Sequence, residues 1–382
     1  MRVLRLWLLT ATSSFVHVIA HCPCGFTVNS TSSTDFALFT ESVETNFLQG
    51  WPSITWTNQP VSQWVAQEYN VSTAASRGPY GKAAQVGNVV ADTQPTIQGK
   101  KDGVPGEPGL QLWVRQQLIG DAPNQLIPMA ELSSARSDML YGSFRASMKT
   151  SAVNGTCAGF FFYRNNSQEI DMESLSKQQQ PPNWPLNLVN QSPLSVKNGF
   201  NADDTGGKWL YNLTVSPSDD YHEYRFDWLP NRIDFYVDGR YLINFTESIP
   251  DSPGSLHLSH WSNGNPNWSG GPPAKDAVLM VEYVKAYFNS SDPVRQKSAQ
   301  ESCQMGIQNQ TYPRQSLVCP IVIGEPTPSI ATRTTATSTT GATTTHRSSA
   351  LRLRTREDGC ENPACWAWWF SLLSWTFFFI LS

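Results

Sequence analysis

Charge is scarce in this chain: Asp, Glu, Lys and Arg make up 15% of its 382 residues, well below the usual quarter. The formal net charge is only -4, which gives no electrostatic reason to bind nucleic acid. No segment keeps a helical period of apolar residues, which argues against a helical bundle. A Gly-x-Ser-x-Gly elbow, a His-Glu-x-x-His pair and a phosphate loop are all missing. No paired His cluster accompanies the seven cysteines, so neither a metal nor a cofactor is expected. Aromatic residues are abundant instead, with 14 Trp and 12 Tyr. Such rings stack on pyranose faces and need few charges, so carbohydrate is the expected partner.

The most unusual stretch runs from Gln168 to Ser174. Glu169, Asp171 and Glu173 stand at alternate positions, separated by Ile170 and Met172. On a β-strand alternate side chains share a face, so the acids face one way and the apolar pair faces a core. Like charges at this spacing repel, and no Lys or Arg stands between them. The run at 159–163 is aromatic and sets the acids against apolar surroundings. A retaining glycosidase needs two carboxyls roughly 5–5.5 Å apart, one a nucleophile and one a general acid/base. Four residues of strand span about 13 Å, a gap that side chains leaning inward on a curved sheet can close. Asp171 between them can hydrogen-bond a neighbour and raise its pKa by like-charge proximity. The same pattern also fits an acidic exposed strand or a set of calcium ligands.

Glu-x-Asp-x-Glu is the signature of glycoside hydrolase family 16, and more of the chain resembles that family. Residues 141–149 resemble the family strand that precedes the catalytic one. Residues 221–228 and 234–239 resemble its later hairpin, and 261–264 and 277–288 complete the order. The resemblance covers roughly residues 130 to 290. It implies an all-β fold, a concanavalin A-like β-jelly-roll sandwich with a concave substrate groove. It also implies Glu169 as nucleophile, Asp171 as its assistant and Glu173 as acid/base. Ser174 departs from the pattern, since many members carry an aromatic or large apolar residue there, and this bears on substrate preference. Arg145, Tyr163, Asn190, Gln191, His260, Trp261 and Trp268 are candidates for sugar contact. Trp261 fits a core position equally well.

Alternating runs predict strands at 109–115, 141–149, 157–163, 169–173, 186–190, 222–228, 233–237, 240–245, 256–260 and 278–288. Asp238 and Gly239 form a strong two-residue hairpin signal. Many short strands with polar turns mean a sandwich or barrel. Residues 21 to about 130 are the least readable part.

The ends carry an address. Residues 1–20 read as a signal peptide: Arg2 and Arg5 precede the apolar run 6–18, and Val18, Ile19 and Ala20 offer a cleavage site. Secretion makes Cys22, Cys24, Cys157, Cys303, Cys319, Cys360 and Cys365 disulfide candidates, with a pairing that sequence leaves open. If the last two are lost in processing, one of the remaining five is unpaired or bonds another chain. Ten Asn-x-Ser/Thr sequons fit a glycosylated product. Residues 21–295 are assigned to the catalytic domain and 296–324 to a Cys-containing extension. Residues 325–350 form a Ser/Thr-rich stalk without core-forming residues. Residues 351–382 resemble a GPI-attachment propeptide: Ser348, Ser349 and Ala350, then a polar spacer and an apolar terminus. A membrane span is the alternative, disfavoured by Arg352, Arg354 and Arg356 on what would be its outer side.

The expectation is therefore a monomeric endo-β-glucanase, secreted and held at the plasma membrane or cell wall by a GPI anchor. Its substrate would be cell-wall β-glucan, β-1,3 or mixed β-1,3/1,4. A transglycosylase using the same covalent intermediate is one alternative. A non-catalytic carbohydrate-binding surface protein is the other, for which the intact trio has no use.

Overall fold

The computed structural model describes residues 22–29, 34, 36–48, 63–92, 108–308 and 317–321. The expected signal peptide, stalk and anchor signal lie outside the described residues, as do Cys360 and Cys365.

Alternation of apolar and polar residues builds two antiparallel-rich sheets that bury one face each. The first sheet runs, in spatial order, Lys208–Leu213, Trp184–Gln191, Gln168–Leu175, Cys157–Asn165, Ser255–Trp261, Leu126–Ser134, Gly81–Ala84 and Tyr69–Val71, with Trp64–Ala66 also paired to Leu126–Ser134. The second runs Arg240–Phe245, Arg232–Val237, His222–Leu229, Met139–Lys149, Ala277–Ser290, Gly109–Val114 and Val89–Asp92, with Glu41–Asn46 on the far half of Ala277–Ser290. Their inner faces interlock through aromatic rings. Phe160 of the first sheet lies 5.3 Å from Phe226 of the second, and Phe162 lies 4.3 Å from Trp228. The Trp228 indole satisfies its one polar atom by donating to the Pro250 carbonyl at 2.9 Å. Truncating a ring packed this way to Ala costs about 3–5 kcal/mol, so these rings fix the stacking of the two sheets.

The strands expected from alternation are present; most are longer by a residue or two at one or both ends, while 240–245 is unchanged and 109–115 ends one residue early. The hairpin turn is where it was expected: Asp238 and Gly239 take φ of 51° and 73°, the pair of left-handed residues that a tight hairpin of matching twist requires. The strands missed by the sequence reading, such as Tyr69–Val71 and Gly81–Ala84, have three and four residues. Those are too short for a period of two to stand out, whereas the nine-residue Leu126–Ser134 was missed because it is buried on both faces and does not alternate.

A helix of 16 residues, Pro293–Gln308, was not expected, and none of its residues is buried. With no face packed on a core it carries no apolar stripe for periodicity to register. It is tethered instead by a disulfide from Cys303 to Cys24, and Cys319 pairs with Cys22. The two bonds tie the segment 22–29 to the chain's far end, where Gly25–Thr27 pairs in parallel with Val318–Pro320. Cys157 is the free cysteine among the described residues. Each disulfide closes a loop of nearly 300 residues, separations of 297 and 279. Cys24→Ser with Cys303→Ser is therefore expected to cost about 2–4 kcal/mol of stability. A thermal melt should fall by several degrees while turnover at 25 °C persists, because the helix follows a strand of the second sheet, away from the acids.

Candidate active site

Ile170 and Met172 are 0% and 1% exposed inside the sandwich, which turns Glu169, Asp171 and Glu173 to the open face of the first sheet. The register extends that face sideways. Tyr163, Phe161 and Gly159 stand opposite Glu169, Asp171 and Glu173 on one side, and Gln191, Val189 and Asn187 stand opposite them on the other. Beyond Phe161 come His257, Ser259 and Trp261, then Glu131, which pairs with Ser259. This row forms the floor of a groove.

The three acids have different surroundings. Glu173 accepts on both oxygens, from the Cys157 thiol at 3.2 Å and from the Trp268 indole Nε1 at 3.0 Å. Burial raises its pKa, while those two donors and the cations Lys82 and Arg77 pull it back. Asp171 lies deepest, and burial with the fields of Glu169 and Glu173 drives its pKa well above the ordinary value. It shares a hydrogen bond with Glu169. Burial, and then the charge of Glu173, push Glu169 up to about 7. Three acids on one dry face cannot all ionise at once, so the site holds both protonated and ionised carboxyls near neutrality. That is the requirement of acid/base work. Burial also raises the pKa of the Cys157 thiol, so it remains a neutral donor to Glu173.

A second polar cluster lies across the groove. Glu131 accepts from the Tyr69 hydroxyl at 2.6 Å and pairs with His257 Nδ1 at 3.0 Å. Burial alone would raise its pKa, but the bonds from His257 and Tyr69 and the nearby Lys82 hold it below the ordinary value. Lys82 sits 4.5 Å from the centre of the Trp261 ring. Among the described residues no group of three or more His, Cys, Asp or Glu side chains is arranged to hold a metal ion.

The raised Glu169 pKa makes a stability prediction. A folded-state pKa of about 7 against 4.5 for the ordinary carboxyl means that the fold binds this proton more tightly than the unfolded chain. Its contribution is present in full below about pH 4.5 and is lost as pH rises through about 7. Glu169→Gln removes the penalty of ionising that carboxyl. The variant is expected to be more stable than the parent by about 1–3 kcal/mol at pH 8, with the difference vanishing by pH 4. Melting curves at the two pH values check this.

Of the residues expected to contact sugar, four reach the groove. Tyr163 and Gln191 flank Glu169, and Trp261 lies on the floor, half-buried, with Lys82 over its ring. Trp268 reaches it too, but as the hydrogen-bond donor that holds Glu173. Its ring, with Lys208 5.3 Å from its centre, also lines a cavity of about 370 Å³ together with Asn187, Gln178 and Trp209.

Three expected contacts are corrected. Asn190 pairs with Ile170 and so faces the opposite side from Gln191. It is 1% exposed and donates to the carbonyls of Glu247 and Ser248. That burial also leaves no room for a glycan on Asn190. His260, next to Trp261, likewise points inward. Its Nδ1 bonds the Leu112 carbonyl at 2.9 Å, and burial pushes its pKa down to about 4, so it is neutral. Neighbours on a strand face opposite ways, so neither of these pairs could line the groove together. Arg145 belongs to the second sheet, on the side opposite Phe144 and Ala146, and its partner is Glu223 at 3.8 Å. Ser174 also faces inward, 5% exposed, with its hydroxyl accepting from Gln179, so it has no contact with substrate to vary.

The sequence reading missed Cys157, Glu131, His257, Tyr69 and Lys82. A signal for Cys157 and His257 existed: carrying the alternation of Glu169 across the neighbouring strands places both on the groove face. None existed for Tyr69 and Lys82, which sit on strands too short to read.

The model of the glycosyl hydrolases family 16 matches residues 94–284. A β-glucanase of Acetivibrio thermocellus is 34% identical over 158 residues, which are 39% of this chain and 43% of that protein. A β-glucanase of Bacillus licheniformis is 30% identical over 156 residues, 38% of this chain and 58% of that protein. The chain thus spans about half the length of these curated relatives. Among solved structures, the laminarinase catalytic domain of Thermotoga maritima aligns with a TM-score of 0.47 and 15% identity, over 64% of this chain and 96% of that one.

Proposed function

This chain belongs to glycosyl hydrolases family 16, and on that premise we propose that it is a secreted retaining endo-glycosidase that cuts β-glucan, β-1,3 or mixed β-1,3/1,4. The observation that carries the reading is the trio on one groove face, Asp171 buried and Glu169 and Glu173 half-buried, each with unlike partners. Glu169, ionised, attacks the anomeric carbon while Glu173, protonated, gives its proton to the departing glycosidic oxygen. The glycosyl–Glu169 ester then yields to water, whose proton returns to Glu173, so the anomeric configuration is kept after two inversions. Asp171 donates to Glu169 and withdraws charge from it, which eases departure of the ester in the second step. Cys157 and Trp268 fix the Glu173 carboxyl so that its proton meets the leaving oxygen. Trp261 and Tyr163 offer ring faces to pyranoses along the floor.

The printed substrates of the relatives support β-glucan as the class. The apolar start of the chain, its sequons and its apolar tail support export and a GPI anchor on a monomeric enzyme at the cell surface or wall.

The test is a panel of defined β-1,3, mixed-linkage and β-1,4 glucan oligosaccharides, with and without a labelled acceptor. Shorter products from internal cuts in the first two classes are expected. Larger labelled products would assign transfer rather than hydrolysis, and binding without turnover would overturn the enzymatic reading.

A further inference from the structure

Two residues with left-handed backbone meet across the groove. Arg77 and Phe200 take φ of 63° and 68°, the left-handed region that is costly for long or bulky side chains and free for glycine. Asp238 shares that region, but in a hairpin turn that requires it. Arg77 takes it as the left-handed cap that ends the helix Thr73–Ser76 and Phe200 in the turn that follows the helix Pro193–Lys197, and their side chains touch: the Arg77 guanidinium carbon lies 4.1 Å from the centre of the Phe200 ring.

The contact spans the sheet. Arg77 caps the short helix Thr73–Ser76, between strands Tyr69–Val71 and Gly81–Ala84 at one edge. Phe200 lies between Trp184–Gln191 and Lys208–Leu213 at the other edge. Four strands separate those edges, a distance of about 24 Å at ordinary strand spacing. The second sheet covers the opposite face, so the contact passes over the groove. Its position above the acids is registered in their electrostatics, since Arg77 favours ionisation of Glu169, Asp171 and Glu173 alike. Both stems are anchored. Asn265 donates to the Arg77 carbonyl at 3.0 Å and Asn263 to that of Ser76 at 2.7 Å, while the Phe200 N–H donates to Ser195 at 2.8 Å.

We propose that Arg77 and Phe200 are the two jaws of a substrate clamp, which close on the glucan segment lying over the carboxylates. In the free protein each jaw occupies the other. A bound sugar displaces the guanidinium, stacks its apolar face on the Phe200 ring and takes hydrogen bonds from Arg77 through its hydroxyls. The clamp rests on the glucan-cleaving reading above and assigns it two specificity residues from opposite banks.

Arg77→Gly and Phe200→Gly test it without threatening the fold, because glycine takes both backbone conformations freely. Melting temperatures should be equal to or above the parent's. In a Glu169→Gln background, the affinity measured calorimetrically for a linear β-glucan hexasaccharide should fall about tenfold for each change, equivalent to about 1.4 kcal/mol. In the active background Phe200→Gly should raise KM for the polysaccharide more than it lowers kcat, while Arg77→Gly should raise KM and also shift the pH profile of kcat, because its charge favours ionisation of the acids. Unchanged or tighter binding in both variants, with the parent still cutting glucan, would overturn the clamp alone. A lowered melting temperature would assign the side chains to the fold and overturn it too. A parent that neither binds nor cuts any β-glucan would overturn the underlying reading, and the clamp with it.

Discussion

Glu169→Gln is expected to abolish turnover, by a factor on the order of 10⁴ or more, while the protein stays folded. The amide nearly matches the carboxylate in shape, and it keeps a hydrogen-bond partner for Asp171. It cannot attack the anomeric carbon, so no covalent intermediate forms and neither water nor an acceptor sugar can be glycosylated by that route. The measurement is release of reducing ends from glucan and of phenol from an aryl glycoside, since the lost step precedes both. The same variant should be the more stable protein at pH 8, because the parent must ionise a carboxyl that burial and Glu173 push up to about 7. Loss of activity joined to gained stability separates a removed nucleophile from a damaged fold.

Glu173→Ala is expected to behave differently. Loss of a general acid lowers turnover of a poor leaving group by about 10²–10⁴, yet an activated aryl leaving group needs no proton and should still depart. The glycosyl–Glu169 ester then accumulates, because no base assists water. Truncation also removes the acceptor for Cys157 and Trp268 and opens space for a small anion above the sheet. Added azide should restore turnover and give a β-azide product, the outcome of two inversions. In Glu169→Ala the azide itself replaces the nucleophile and should yield the α-azide. The reverse pattern would exchange the two roles. The point is pertinent because the thiol and indole donors on Glu173 favour its ionised form, and they must be outweighed by burial for it to serve as the acid.

Much of this was legible in the chain because it depends on a period of two. Glu169, Asp171 and Glu173 alternate with residues that a core wants, and the structure puts the two sets on opposite faces. The same alternation turns Asn190 away from Gln191 and His260 away from Trp261, so those two residues lie off the groove. Arg145 lies off it for another reason: alternation assigns a face within a sheet, but not which of two sheets a strand joins. The banks of the groove were hidden more deeply. Arg77 and Phe200 stand in connections far apart in sequence and on opposite edges of one sheet, and their contact depends on the strand order and on the course of both connections over it. Pairing of Cys22 with Cys319 and Cys24 with Cys303 depends on which ends of the fold adjoin, which no spacing encodes.

The most direct measurement traps the intermediate. A β-1,3-linked disaccharide fluoride carrying fluorine at the 2-position of its reducing-end sugar slows both steps through its electron withdrawal. Its good leaving group keeps the first step the faster of the two. Incubation with the enzyme, proteolysis and mass spectrometry should find one glycosyl unit on the peptide that contains the trio, with fragmentation placing it on Glu169. Label on Glu173 would reverse the assignment of nucleophile and acid. An enzyme that cuts glucan but carries no label, and whose first product has the inverted α configuration by NMR, would rule out the covalent route.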